Sequence, residues 1–119
     1  MSFWTWVGLT LAGGVGSVAR ALMTHAVNVR TRRGFPFGTL TVNLSGSLAL
    51  GVLSAAGVSA VALAIAGTGF LGAFTTFSTW MYETDHAWTT GHRARAALNV
   101  VVSLVAGLLA VWLGRTLAG

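Results

Sequence analysis

"GAFTTFSTW", Gly72 to Trp80, decides how this chain is read. It stands in the middle of a long apolar run, yet four of its nine residues carry hydroxyls: Thr75, Thr76, Ser78 and Thr79. Just upstream, Gly67 and Gly69 join Gly72, so three glycines fall within six residues. That is poor material for a continuous helix. Gly costs up to about 1 kcal/mol relative to Ala in a helix interior, and Ser and Thr side chains offer the backbone competing local bonds. A hydroxyl-rich but unbroken helix is one outcome of such a sequence, and a break near mid-span is the other. Irregular backbone at membrane depth persists only where protein surrounds it or a water-filled cavity meets it. A break there frees carbonyls that can hold a cation and amides that can meet an anion.

The surrounding composition places the stretch inside a membrane. Of 119 residues, 55% are hydrophobic and only seven basic and two acidic residues carry charge. A soluble domain normally has about a quarter of its residues charged. All seven basic residues are Arg, and Glu83 and Asp85 are the only acids. The net charge of +5 raises nucleic acid as a partner. The arginines, however, sit between apolar spans and form no stripe, so no nucleic-acid partner is expected. Absence of Cys excludes disulfides, thiol catalysis and Cys-based metal sites. The opening "MSFWTWVGLT" lacks a basic n-region and an A-x-A site, so no cleaved leader is expected.

A membrane-spanning helix takes about 20 mostly apolar residues. Four such spans are predicted: Phe3 to about Met23, Phe37 to about Ala56, about Ala60 to Met81, and about Ala96 to Leu117. Together they make residues 1–119 a single all-α unit with no room for a soluble domain. The short "GVSA" connection makes the second and third spans antiparallel neighbours. Trp4, Trp6, Trp80, Tyr82, Trp88 and Trp112 lie near span ends, as interfacial aromatics do. Small residues recur every fourth position at Gly8, Ala12 and Gly16, and again at Ser47 and Gly51, which lets helices approach closely in lipid. The first and third connections hold Arg30, Arg32, Arg33, Arg93 and Arg95, with Arg20 near the same side; the other side holds only Arg115. The positive-inside rule then puts both termini outside the cell membrane and the arginine loops in the cytoplasm.

No carboxylate, Lys or His is expected in the middle of a span; Glu83 and Asp85 come at the end of the third, and His25, His86 and His92 are read as loop residues. A small drug/proton exporter of four spans needs an embedded acid, so that function is disfavoured. Acid/base, Ser/His/Asp and metal constellations are equally missing, so no enzyme activity is expected. What remains inside is neutral hydrogen-bonding capacity. Thr39, Asn43 and Ser47 fall on one helix face, and Asn99 and Ser103 make a similar pair. Single Ser and Thr residues often satisfy themselves on the preceding turn. Asn is harder to satisfy in hydrocarbon, which leaves interhelical bonding or a solute pathway for Asn43.

"GGVGSVAR" at Gly13–Arg20, "PFGTLTVNLSGS" at Pro36–Ser47, "GFLGAFTTFSTW" at Gly69–Trp80 followed by Glu83, and "NVVVSLVAGLLAVWLG" from Asn99 resemble the Fluc (CrcB) family of fluoride channels over essentially the whole chain. The resemblance implies a four-helix subunit, its third helix broken at the midplane, that pairs with an antiparallel copy to form two fluoride pores. It also implies a central structural Na⁺ held by backbone carbonyls, here those of Gly72 and Thr75. By the same resemblance the fluoride pathway runs by Asn43, Phe77, Ser78, Thr79, Trp80, Asn99 and Ser103, with Arg20 and Glu83 near the vestibules.

Three features depart from the family pattern. Trp80 stands where the family has the second of two phenylalanines, and Asn99 stands where Tyr is frequent. The arginine bias is also unlike that of a chain inserting in both orientations. Some members of the family form heterodimers of two oppositely inserted chains, so the expected partner is a second copy or an oppositely oriented homologue.

Overall fold

The computed structural model describes residues 1–119 and is entirely helical. Helix α1, Phe3–Asn28, starts at Ser2, whose hydroxyl accepts from the Thr5 amide at 3.2 Å. It overruns its expected end at Met23 because neither Gly nor Pro interrupts the sequence before Asn28. His25 is therefore a helix residue, contrary to the expected loop position. The Asn28 carboxamide then joins two elements, its Oδ1 accepting from the Gly38 amide at 2.9 Å in the first turn of α2, Phe37–Ala55.

The third span, Ala60–Thr89, is the divided one. It begins with α3, Ala60–Ala62, capped by Ser59, and widens into a π-helical stretch, Leu63–Leu71. A single turn, α4 (Gly72–Phe74), follows; residues 75–77 leave the helix, and α5 (Ser78–Thr89) resumes it. π-helical winding is rare and tends to occur at functional sites. The glycine-rich run thus disturbs the helix in two ways, first overwidening it and then letting it open.

Helix α5 also runs past its expected end, so Asp85 and His86 are helical, and Glu83 sits inside the span's second half. It stops in a Schellman turn: His92 N–H reaches Ala87 O at 2.8 Å, Gly91 N–H reaches Trp88 O at 3.3 Å, and Gly91 takes φ 85°. Helix α6, Arg93–Ala118, follows at once, with Arg93 and Arg95 in its first turn. Cations at a helix N-terminus oppose the macrodipole. Their placement there does nothing for the helix dipole.

Packing does not follow chain order. Helix α2 lies chiefly against α6, and the π-helical stretch lies chiefly against α1; the second and third spans touch, but less extensively than their short connection predicts. The reason is close approach at glycine. A Cβ at Gly51 would collide with the Val111 carbonyl, and one at Gly114 with the Leu48 carbonyl, so α2 and α6 meet backbone to backbone. The small-residue row of α1 does the same work where Gly16 faces the Phe70 carbonyl. Only four apolar residues are buried, Val42, Phe74, Ala87 and Ala96, while large apolar side chains such as Leu108 and Leu117 point outward. Such an exterior suits hydrocarbon, and all four spans are long and apolar enough to cross a membrane.

Candidate ion pathway at the break in the third span

At the break the chain gives up helix geometry at Thr75, which takes φ −85° and ψ 159°. Thr75 still points back, its amide and its hydroxyl both donating to Leu71 O at 3.0 and 2.9 Å. Thr76 is the residue that loses its helical partners, and Asn43 of α2 replaces both. Asn43 Oδ1 accepts from the Thr76 amide at 2.8 Å, and Asn43 Nδ2 donates to the Thr76 carbonyl at 2.9 Å. Because the two Thr76 groups demand opposite functions, the orientation of the carboxamide is fixed. The Thr76 hydroxyl then starts α5, accepting from the Thr79 amide at 3.2 Å and donating to the Thr79 hydroxyl at 3.1 Å. Asn43 was legible in the sequence; Thr76 as its partner was not, since that pairing depends on the register between two spans.

Opening the helix frees carbonyl oxygens. None of the amides of residues 75–77 reaches Gly72 O, and Thr75 O accepts no backbone amide. Gly72 is exposed and Thr75 partly so.

Beside the clamp lies a crevice of about 770 Å³ between α2, α6 and the third span. Asn43, Phe77, Trp80 and Ser103, four of the sequence-predicted pathway residues, line it together. Ser47 and Thr68 line it as well. Elsewhere in the spans, hydroxyls such as those of Thr41, Ser45 and Thr84 are tied to the carbonyl one turn earlier. The Ser47, Thr68 and Ser103 hydroxyls carry no such bond and remain available to the crevice. Thr68 was missed by sequence reasoning because it precedes the hydroxyl cluster and looks like part of the glycine run.

Phe77 and Trp80 meet edge to face, with centroids 5.8 Å apart and planes at 81°. The Trp80 indole N–H donates to the backbone carbonyl of Asn99 at 3.2 Å. The Asn99 side chain is almost fully buried and donates to the Thr84 hydroxyl at 2.9 Å. Asn99 and Ser103, expected as a pair, are thereby separated: Ser103 faces the crevice, whereas Asn99 is engaged with α5 and borders a different cavity. The expected hydroxyl track divides likewise. Thr79 lines a second crevice of about 340 Å³ with Arg20, Thr39 and Thr76, and Ser78 is exposed outside the three cavities described here. Thr76 borders both crevices, so the break is flanked by polar space on two sides.

Glu83 is half-buried and accepts a short hydrogen bond from the Thr39 hydroxyl. It borders a cavity of about 630 Å³ at the loop end, shared with Arg32, Arg33, Arg95 and His86. Both arginine-bearing connections therefore open onto one end of the bundle. Arg20 and Glu83 border separate cavities.

Residues 7–115 match the family described as CrcB-like protein, Camphor Resistance (CrcB). Among curated relatives, the fluoride-specific ion channel FluC 2 of Mycolicibacterium paratuberculosis is 50% identical over 113 residues, 95% of this chain and 93% of the relative. The protein of the same name from Mycobacterium tuberculosis is 48% identical over 113 residues, covering 95% of this chain and 90% of the relative. A fluoride-specific ion channel FluC 1 of Symbiobacterium thermophilum is 44% identical over 119 aligned positions, covering 95% of this chain and 96% of the relative. On this coverage and identity, the chain belongs to the CrcB family.

Proposed function

We propose that the chain is a subunit of a passive fluoride-selective channel that lets F⁻ leave the cytoplasm across the cell membrane. The observation that carries this reading is the Asn43–Thr76 clamp, which holds the third span open beside a crevice lined by Asn43, Phe77, Trp80 and Ser103. After serving Thr76, the Asn43 amide keeps one N–H for an anion. Ser103 and Ser47 add hydroxyl donors, and aromatic rings present positive edges that meet an anion without trapping it. No Arg or Lys lines this crevice. Throughput needs sites weak enough to release the ion, and a fixed cation at the constriction would hold it. Ser78 and Thr79 extend the path beyond the rings, while Arg20 and Glu83 serve its mouths. HF enters uncharged, dissociates in the more alkaline cytoplasm, and F⁻ leaves down its gradient.

The freed carbonyls of Gly72 and Thr75 suit a hard monovalent cation such as Na⁺, which prefers neutral oxygen donors. One chain offers too few ligands, so an antiparallel partner crossing at the same break completes the set. Such an ion supplies a fixed positive charge near the path and offsets part of the anion's dehydration cost.

The arginine bias supports a second reading of the partner. Five arginines in the two loop-end connections and their junction with α6, against Arg115 alone at the other end, favour one orientation. The partner would then be an oppositely inserted homologue; the numbered names FluC 1 and FluC 2 among relatives agree with chains that occur in more than one form.

Cells that lack their own fluoride exporter test the function. In acidic medium containing fluoride, the chain should restore growth, alone or with a homologue of reversed loop charge. Growth no better than that of cells carrying neither chain would overturn the proposal.

A further inference from the structure

Trp80, Thr84 and Asn99 form a closed hydrogen-bonded ring between α5 and α6. The Trp80 indole N–H donates to Asn99 O at 3.2 Å, Asn99 Nδ2 donates to Thr84 Oγ1 at 2.9 Å, and Thr84 Oγ1 donates to Trp80 O at 2.8 Å. The Thr84 proton is committed to a carbonyl, so the Asn99 group facing that hydroxyl must be the NH₂. Each of the three hydrogen bonds in the ring thus has one direction, and Trp80 is held at its carbonyl and at its indole tip. Asn99 is 2% exposed, and its border with open space is the loop-end cavity.

We infer that Asn99 and Thr84 are positioning residues that turn the Trp80 indole N–H away from the ion path, leaving only a ring edge to face it. This rests on the reading that Trp80 borders the fluoride path. An indole N–H aimed into a poorly hydrated crevice would be a strong neutral donor, and an anion held there would leave slowly. The carbonyl of Asn99 takes that donor out of use. The edge-to-face contact with Phe77 fixes the rest of the ring. Tryptophan at this position therefore acts on the anion as a phenylalanine would, and the buried Asn99 side chain keeps α6 in the register that brings its carbonyl to the indole.

A two-background comparison separates positioning from simple support. Thr84→Val and Asn99→Leu are each introduced into the native chain and into Trp80→Phe, and fluoride release from vesicles is measured for all. In the native background each substitution should slow fluoride about tenfold, a coupling within the range for residues sharing one network. In the Trp80→Phe background, which has no N–H to release, neither should add more than about twofold. Equal losses in both backgrounds would overturn the inference. Thr84→Ser keeps the hydroxyl and should behave as native; because Thr84→Val is nearly isosteric, it carries the test if Asn99→Leu does not fold.

A second readout does not depend on conduction. With Trp4, Trp6, Trp88 and Trp112 replaced by Phe, the emission of Trp80 should shift when Thr84→Val frees the indole. Unchanged emission would overturn the lock even in a conducting channel. If the native chain released no fluoride with any partner, the emission arm would still decide the lock, and the failure would fall on the channel reading.

Discussion

Asn43 does two jobs with one side chain. Its carboxamide takes over both backbone groups of Thr76, which the break would otherwise leave unpaired, and it keeps one N–H for the crevice. An unpaired buried polar group costs about 1–3 kcal/mol, so the clamp is a structural part in its own right, apart from the ion contact we propose for Asn43. Asn43→Asp separates these needs. The carboxylate still accepts from the Thr76 amide, but it cannot donate to the Thr76 carbonyl and it places a negative charge beside the path. Fluoride efflux from vesicles should fall by at least about a hundredfold, as expected when several kcal/mol of repulsion and lost pairing act together. Unchanged efflux would remove Asn43 from the pathway. The sequence made this asparagine conspicuous because an amide in hydrocarbon requires partners. It could not reveal Thr76 as that partner, nor that Asn99 of the fourth span donates to Thr84.

At the level of elements, the four spans and the interruption in the third were legible from apolar length and from the Gly and Thr content of residues 67–79. Their extents were less so. Helices α1 and α5 continue beyond the apolar run, because charge or polarity does not end a helix when no Gly, Pro or cap intervenes. That is why His25 and His86 are helical. Neighbour choice was also hidden: the glycines that allow close approach match α2 to α6 across the chain, overriding the short connection between the second and third spans. Gly46 is the glycine through which α2 meets the break, since a Cβ there would run into the Thr75 methyl. Gly46→Ala forces the Thr75 side chain, or the helix that carries it, to shift. It should lower stability by about 1–3 kcal/mol, the usual cost of overpacking, seen as a lower unfolding midpoint in detergent. Gly14→Ala, at a position with open space, should leave the midpoint within error or raise it slightly. Equal midpoints for the two variants would mean that α2 does not bear on the break.

Considered whole, the subunit has little interior of its own. Four apolar residues form its buried core, and much of its apolar surface faces outward at the middle of the spans, including Phe77 at 69% exposure. A residue of that size beside a polar break is placed to be covered by something other than lipid alone. The antiparallel partner we propose would cover Phe77 and cross the open carbonyls of Gly72 and Thr75. Sidedness decides what that partner is. Arg32, Arg33 and Arg95 gather around one cavity at the loop end, whereas Arg115 stands at the opposite end, within 3.4 Å of the Ser54 hydroxyl. A bias of this kind favours one orientation, which is the ground for proposing an oppositely inserted homologue beside a second copy as the partner. Composition recorded the bias, but no single sequence contains its partner. Ion release from vesicles reads function and partner together, with the chain reconstituted alone and with a homologue of reversed loop charge, and fluoride and chloride followed in parallel. Fluoride should leave while chloride stays; release by the chain alone identifies an antiparallel pair of copies, and release only with the homologue identifies a heterodimer. Chloride leaving as fast as fluoride, or fluoride retained in both preparations, would contradict the proposed channel.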